Sequence, residues 1–326
     1  DIGLREFYDT YLHPEVMNLD DQRIWDHLGD GDVLDIFQFA TGVGLMIAKK
    51  LRPQNILEMT AASALMILMA EKGKESPQDR YVRIKEHPEM FDDEMDAHEL
   101  TDAQKAAFHH HCDTYYGTVP LQEQMMEFLM DPEIAGFTLG EANAARKIVA
   151  KKQMKKIPEL RKQLYEKVAN NLYASYIWEV AVAPSLGYAF SKNHSLPYSF
   201  VGVQMIYLSV NFDPIYWNTA CLIVNSGATD PEAGKATDYA KIAKAIGDIM
   251  SAGIKVGLVD INKSDYGFVP DVENNQILFG MKGMVNVGDE IVMKIIENRP
   301  YVSPKDFYYR VKPGKQAMDS LIKGGA

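Results

Sequence analysis

The sequence predicts a mainly α-helical fold, a multi-helix body followed by a small α/β segment with a helix-hairpin-helix unit. Three observations lead there. Leu160, Leu164, Val168, Leu172, Tyr176 and Val180 recur every four residues, as expected of one buried face on a single long helix. Thr138 and Glu141 form a Thr-x-x-Glu capping box, which opens a helix by giving partners to backbone N–H groups that otherwise lack them. Beyond Gly253, the pieces 255–259, 268–270 and 276–279 have the length of short strands.

The remaining elements follow in chain order. Residues 21–28 begin on acidic side chains and carry Ile24, Trp25 and Leu28, a short amphipathic helix. Segments 43–51 and 56–70 are two more, parted by Pro53, which a helix interior does not tolerate. The stretch 73–100 is charged, contains Pro77 and Pro88, and reads as a loop region. Segments 101–113 and 121–130 are helical by composition, and 196–210, 214–224 and 236–251 complete the body. In 279–298, Gly283 and Gly288 bracket a turn, and Ile291, Ile295 and Ile296 give Asp289 to Asn298 a helical period.

At 326 residues and 47% hydrophobic, the chain can bury one large or two modest cores. Met66, Met69, Met125, Met126 and Met130 read as part of that packing. Met59 to Ala70 is too short and too polar at its start to span a bilayer, and no secretory signal opens the chain. Cys112 and Cys221 stand far apart in no Cys-x-x-Cys pattern, which fits a reducing compartment. A soluble cytoplasmic protein without a membrane partner is the expectation.

The net charge of −11 argues at first against a polyanion partner, but its distribution reverses that. Residues 146–167 carry nine basic side chains against Glu159 and Glu166, a local +7 on a remainder of −18. Such a stripe on an acidic body aims a polyanion at one face. Arg146, Lys147, Lys151 and Lys152 sit on the capped helix, with Lys155 and Lys156 next. Lys147, Lys151 and Lys155 are spaced to share one face, where like charges repel by roughly 0.2–0.5 kcal/mol per pair. An anionic ligand explains such a face better than fold stability does; a solvated basic face is the plainer alternative.

A second motif, Gly187 to Tyr198, places Tyr188, Phe190, Lys192 and His194 in a short loop bounded by Gly187 and Pro197. Its rings suit base stacking, and Lys192 and His194 suit phosphate or a base edge. His109-His110-His111-Cys112 does not read as a metal site, because adjacent helical residues point about 100° apart.

In order and spacing these motifs resemble the fingers region of the bacterial replicative DNA polymerase III α subunit, the C-family of DNA polymerases. The matching residues are Ile36-Phe37-Gln38-Phe39, Tyr116-Gly117, Gln122-Glu123-Gln124-Met125-Met126, the capped helix and Ser191-Lys192-Asn193-His194. Asp260-Ile261-Asn262-Lys263-Ser264 and Lys282-Gly283 follow. The resemblance runs from about residue 20 to the C-terminus. It departs where Lys147 replaces an arginine and loses the bidentate fork, and where Ser191 and Asn193 are exchanged. The chain is similar to a divergent, phage-encoded or otherwise specialised member.

The resemblance implies three parts: 1–20, the end of a palm domain or a linker; 21–252, the fingers; and 253–326, a small region with the helix-hairpin-helix. It implies a nucleotidyltransferase, a DNA-directed DNA polymerase, with primer-template DNA, an incoming dNTP, palm and thumb domains of the same polymerase, and a sliding clamp as partners. Arg146, Lys147, Lys151, Lys152, Tyr188, Lys192 and His194 become the nucleotide site, and Lys155, Lys156, Gly283 and Gly288 the DNA contacts. Polymerisation takes two Mg²⁺ ions held by palm carboxylates. Asp30-Gly31-Asp32 has the Asp-x-Asp spacing but reads as a turn, and Asp1-Ile2-Gly3-Leu4 is similar to a shortened palm motif. No catalytic residue is therefore assigned to this chain, no metal ligand either, and the piece alone is expected to be inactive. A nucleic-acid-binding module without polymerase chemistry, and a metallohydrolase built on the histidine cluster, are the other readings.

Overall fold

The computed structural model describes residues 2–70, 73–151, 153–186, 189–228 and 237–326. The contacts divide the chain into two units, 1–207 and 208–326.

The first unit opens with α1 (Leu4–Phe7), which continues as a π turn, Tyr8–Leu12. Next come α2 (Gln22–Asp30), α3 (Gly42–Leu51) and α4 (Ile56–Leu65), capped by Asp21, Thr41 and Asn55. The α4 helix ends at Leu65, five residues short of the predicted bound, and Met69 is 71% exposed rather than packed in a core. The Asp-x-Asp stretch is a turn as expected: Gly31 closes α2 in the left-handed region, where glycine alone meets no Cβ penalty.

Residues 73–100 overturn the loop reading. They hold α5 (Pro77–Glu86) and α6 (Glu89–Ala97). Pro77 takes the first helical position behind the Ser76 cap and Pro88 is the N-cap of α6, places where a missing N–H removes no helical bond. Then follow α7 (Asp102–Cys112), with a second capping box from Thr101 and Gln104, and α8 (Gln122–Met130).

α9 (Leu139–Ala150) starts on the predicted Thr138–Glu141 box but stops at Ala150. Lys155 and Lys156 lie in a separate 3₁₀ turn, Met154–Lys156, so Lys147, Lys151 and Lys155 do not share a helical face. The predicted long helix is also broken. α10 (Ile157–Val168) ends at Ala169, at φ +56°, and Asn170 caps α11 (Asn171–Ile177), which continues as a π turn, Trp178–Val182. Leu172 is consequently 42% exposed instead of buried.

These helices enclose a core centred on Phe91, Phe108, Met125, Phe128 and Tyr176. Phe108 meets Phe128 edge-on at 4.9 Å and stacks on Tyr176 at 5.1 Å, geometries that suit the aromatic quadrupole. Met126 and Met130 pack on its border.

α12 (Lys192–Asn211) starts four residues before the predicted bound, so Lys192, Asn193 and His194 form its first turn rather than a loop. Pro197 sits inside it. In the second unit, α13 (Pro214–Ser226) and α14 (Tyr239–Ser251) precede three strands, β1 (Lys255–Gly257), β2 (Val269–Asp271) and β3 (Gln276–Leu278). β3 is central, parallel to β1 and antiparallel to β2. A 3₁₀ turn, Met281–Gly283, leads to α15 (Asp289–Glu297), α16 (Pro304–Val311) and α17 (Lys315–Lys323) around a core that includes Met281, Val292, Ile295, Phe307 and Leu321. Asn262 ties the 260–264 turn to Tyr301 by two backbone bonds, of 3.0 and 2.7 Å.

Candidate nucleotide and nucleic-acid interface

The α9 cap fixes where its cations start. Thr138 N donates to Glu141 Oε2 at 2.7 Å, and Glu141 N donates to Thr138 Oγ1 at 3.3 Å. The Thr138 backbone amide and then the Lys167 ammonium, 2.9 Å away, hold the Glu141 carboxyl down at about 2. Lys167 is thus taken up by the fold, while Lys162 pairs with Glu166 and Arg161 lies over the Tyr165 and Trp178 rings. Lys147, Lys151, Lys155 and Lys156 are exposed and, among the described residues, form no ion pair. Lys152 and Tyr188, both predicted site residues, lie outside the described residues, as do Gly187 and Asp1.

Arg146 is half-buried and has no carboxylate partner among the described residues. Its guanidinium donates to Asn143 Oδ1 at 3.0 and 3.2 Å and to Gln122 Oε1 at 3.1 Å. Gln122 in turn donates from Nε2 to Ala189 O, and its backbone N–H reaches Phe190 O at 2.8 Å. The next residue, Glu123, accepts from Ser191 Oγ at 2.6 Å and from Lys192 N at 2.7 Å. A carboxylate from α8 therefore caps the first turn of α12, where the helix dipole favours negative charge. Together Gln122 and Glu123 join the Arg146 helix to the Ala189–His194 segment, the two motifs singled out in the sequence.

The rings continue from there. Phe190 and His194 stack at 5.9 Å, His194 meets Tyr198 edge-on at 4.4 Å, and Tyr198 stacks on Phe37 at 4.9 Å. Phe37 and Tyr198 are 39% and 37% exposed. Sequence reading missed Phe37, Gln122, Glu123 and Tyr198 as site residues. Gln122 and Glu123 lay inside a quoted motif, but their partners are 24 to 69 residues away.

In the C-terminal unit Gly288 is the N-cap of α15, open on the side where a Cβ would stand. Gly283 is held by crowding: a Cβ there would lie 2.7 Å from Phe279 Cε1. Lys282 pairs with Asp289 in the first turn of α15 at 3.0 Å, so its charge faces inward on the hairpin.

The histidine run faces three ways. His109 bridges Asp113 (2.8 Å) and Asp92 (3.1 Å), His111 bonds Asp131 at 3.0 Å, and His110 meets the His111 ring edge-on. Asp30 pairs with Arg52 at 2.9 Å and Asp32 with His27 at 3.5 Å. Turned to separate partners, these two carboxylates do not fit the Mg²⁺ pair of a polymerase. Among the described residues no helix is long and apolar enough to cross a membrane.

A helical body whose described residues gather unpaired cations and exposed rings beside a capped helix suits contact with a polyanion. Residues 4–172 match the bacterial DNA polymerase III alpha subunit finger domain, and the chain belongs to that family. Residues 253–326 match a helix-hairpin-helix motif. Similar proteins include the probable DNA polymerase YorL of Bacillus subtilis and a DNA-directed DNA polymerase of Bacillus phage SPbeta. Each is 40% identical over 99% of this chain and 26% of its own length. The DNA polymerase III subunit alpha of Thermus aquaticus is 27% identical over 99% of the chain and 25% of its own. The chain thus spans about a quarter of the length of these relatives.

Proposed function

We propose that this chain is the fingers part of a template-directed DNA polymerase, binding the incoming dNTP and primer-template DNA during phosphodiester bond formation in the cytoplasm. The bridge from Arg146 through Gln122 to Ala189, with Glu123 holding the start of α12, carries this reading. It supports a single site with Arg146, Lys147 and Lys151 on one side and Lys192 and His194 on the other, to which Lys152 and Tyr188 are assigned by their place in the sequence alone. A guanidinium and ammonium groups without an ion pair among the described residues are suited to stabilise negative charge that grows on a departing pyrophosphate. Lys155, Lys156 and the Gly283–Gly288 hairpin contact the DNA backbone, through ammonium groups and through backbone N–H groups respectively.

Mg²⁺ chemistry belongs, on this reading, to palm carboxylates of the same polymerase outside these residues. This chain's residues bind and orient the triphosphate and hold the flanking DNA. In the full-length polymerase, Arg146→Ala is expected to lower single-nucleotide incorporation about 100-fold while primer-template affinity changes little. Rapid-quench incorporation and equilibrium DNA binding are the measurements. Normal incorporation with lost DNA binding refutes the assignment and moves Arg146 to the template.

A further inference from the structure

The second unit has a charge segregation of its own. Residues 299–326 hold six basic side chains against Asp306 and Asp319, a local +4, whereas 208–298 hold seven basic against twelve acidic, a net −5. Two of the six cations serve the fold. Arg299 donates to Ser264 O, while Arg310 pairs with Asp306 at 3.2 Å and donates to the carbonyls of Asn298 and Pro300. Lys305, Lys312, Lys315 and Lys323 are exposed and, among the described residues, form no ion pair.

Three of these lysines lie on or next to α16, beside two rings. Phe307 and Val311 fasten α16 to its core at 3% and 2% exposure. With about 100° per residue, Tyr308, Lys305 and Tyr309 follow Phe307 at roughly 100°, 160° and 200°, on the face turned away from that core. Tyr308 is 51% exposed and Tyr309 62%. Their rings meet edge-on at 5.9 Å, and the Lys305 ammonium stands 6.0 Å from the Tyr309 ring centre. Lys312 closes α16 in the left-handed region, its backbone N–H donating to Tyr308 O at 2.9 Å, and Lys315 opens α17. Planar rings beside ammonium groups without an ion pair match the two halves of a nucleotide, base and phosphate.

We infer that the outer face of α16 binds single-stranded DNA, with unpaired bases stacking on Tyr308 and Tyr309 while Lys305, Lys312 and Lys315 meet the flanking phosphates. A duplex keeps its bases stacked on one another and leaves both rings unused. The surface uses other residues than the Gly283–Gly288 hairpin, whose proposed contact is to phosphate alone, and it does not depend on the nucleotide site.

The test uses the full-length polymerase with an oligothymidylate carrying iodouracil, an abasic strand of equal length, and a duplex of that length. Ultraviolet cross-links mapped by mass spectrometry are expected at Tyr308 or Tyr309. Tyr308→Ala with Tyr309→Ala, both on exposed side chains, should leave the urea midpoint unchanged and weaken oligothymidylate binding at least about ten-fold. The abasic strand and the duplex should bind that variant as they bind the parent. Tyr308→Phe with Tyr309→Phe keeps the rings and should restore the affinity. Lys305→Gln with Lys312→Gln and Lys315→Gln should lower the slope of log K against log salt by about 2 if all three touch phosphate. Cross-links confined to other segments, an unchanged oligothymidylate affinity in the double alanine variant, an equal loss on the abasic strand or the duplex, or competition by polyglutamate as strong as by oligothymidylate overturns the inference.

Discussion

Two stretches of the first unit are equally rich in charge and use it in opposite ways. Around α5–α7 nearly every cation has an internal partner. Arg80 donates to Gly117 O at 2.8 Å and pairs with Glu94, and Arg83 joins Glu75 at 2.7 Å and Glu94 as well. Lys85 meets the buried Glu58 carboxylate at 2.6 Å and two backbone carbonyls, and Lys105 pairs with Asp96. Along α9 and the start of α12, Arg146 is bonded only to neutral amide oxygens, and Lys147, Lys151, Lys155, Lys156 and Lys192 have no ion pair among the described residues. The letters already differ: residues 77–112 hold four Lys/Arg among nine Asp/Glu, whereas 139–156 hold six Lys/Arg against Glu141 alone. Whether the counter-charge is built into the fold separates a lysine that holds the protein together from one left open to solvent.

Breaking the paired side should give the largest effect on stability. Glu94→Ala leaves two partly buried guanidinium groups without their shared carboxylate, at a cost of about 3–5 kcal/mol. Urea denaturation reads this directly, and a loss under about 1 kcal/mol would show the network to be no more than surface charge. The open side should behave in reverse. Lys147→Ala together with Lys151→Ala should leave stability within about 0.5 kcal/mol yet weaken nucleotide binding, and a large drop in melting temperature would contradict it.

The unpaired cations also make a prediction about salt. Residues 1–326 alone are expected to bind primer-template DNA weakly, without polymerase activity, and less tightly as salt rises. Removing Lys155 and Lys156 should reduce the slope of log K against log salt by about 1.8 if both touch phosphate. An unchanged slope removes them from the DNA contact.

The smallest effect is a pH dependence on the paired side. Burial lowers the His109 pKa, but the hydrogen bonds to Asp113 and Asp92 outweigh it and raise the value overall. A raised folded-state value means His109 contributes its full stabilisation below its unfolded pKa, about 6.5, and loses it as pH rises through the folded value. An NMR titration of the ring in the folded chain should therefore give a midpoint above that of a free histidine. His109→Gln should flatten the matching part of the stability profile.

Local chemistry was legible and long-range chemistry was not. The Thr138–Glu141 box, the α2 face of Ile24, Trp25 and Leu28, and the three strands follow from adjacent residues and appear as predicted. The prolines of 73–100 misled because a proline marks a helix start as readily as a loop, and Ser76 was the sign that decides it. The four-residue period of 160–180 persists through a left-handed Ala169 that periodicity does not register. The early start of α12 had a local sign in Ser191, which precedes Lys192 at the N-cap position, but the carboxylate that holds its first turn is Glu123, 69 residues from Lys192. Arg146, Lys147, Lys151 and Lys192 could be named from sequence as candidates, whereas Gln122 and Glu123, which join their helices, act only through contacts the fold creates.

Gln122 and Glu123 are neighbours in the chain, yet one grips the α9 arginine and the other the head of α12. The gap between the two walls is therefore gauged by a single dipeptide, and small displacements do not add up along the dozens of residues that separate Arg146 from His194. A tilt of α8 carries both walls together and keeps their spacing. Adjusting that spacing takes a change at this dipeptide, which on the proposed function makes it one compact place to alter nucleotide preference.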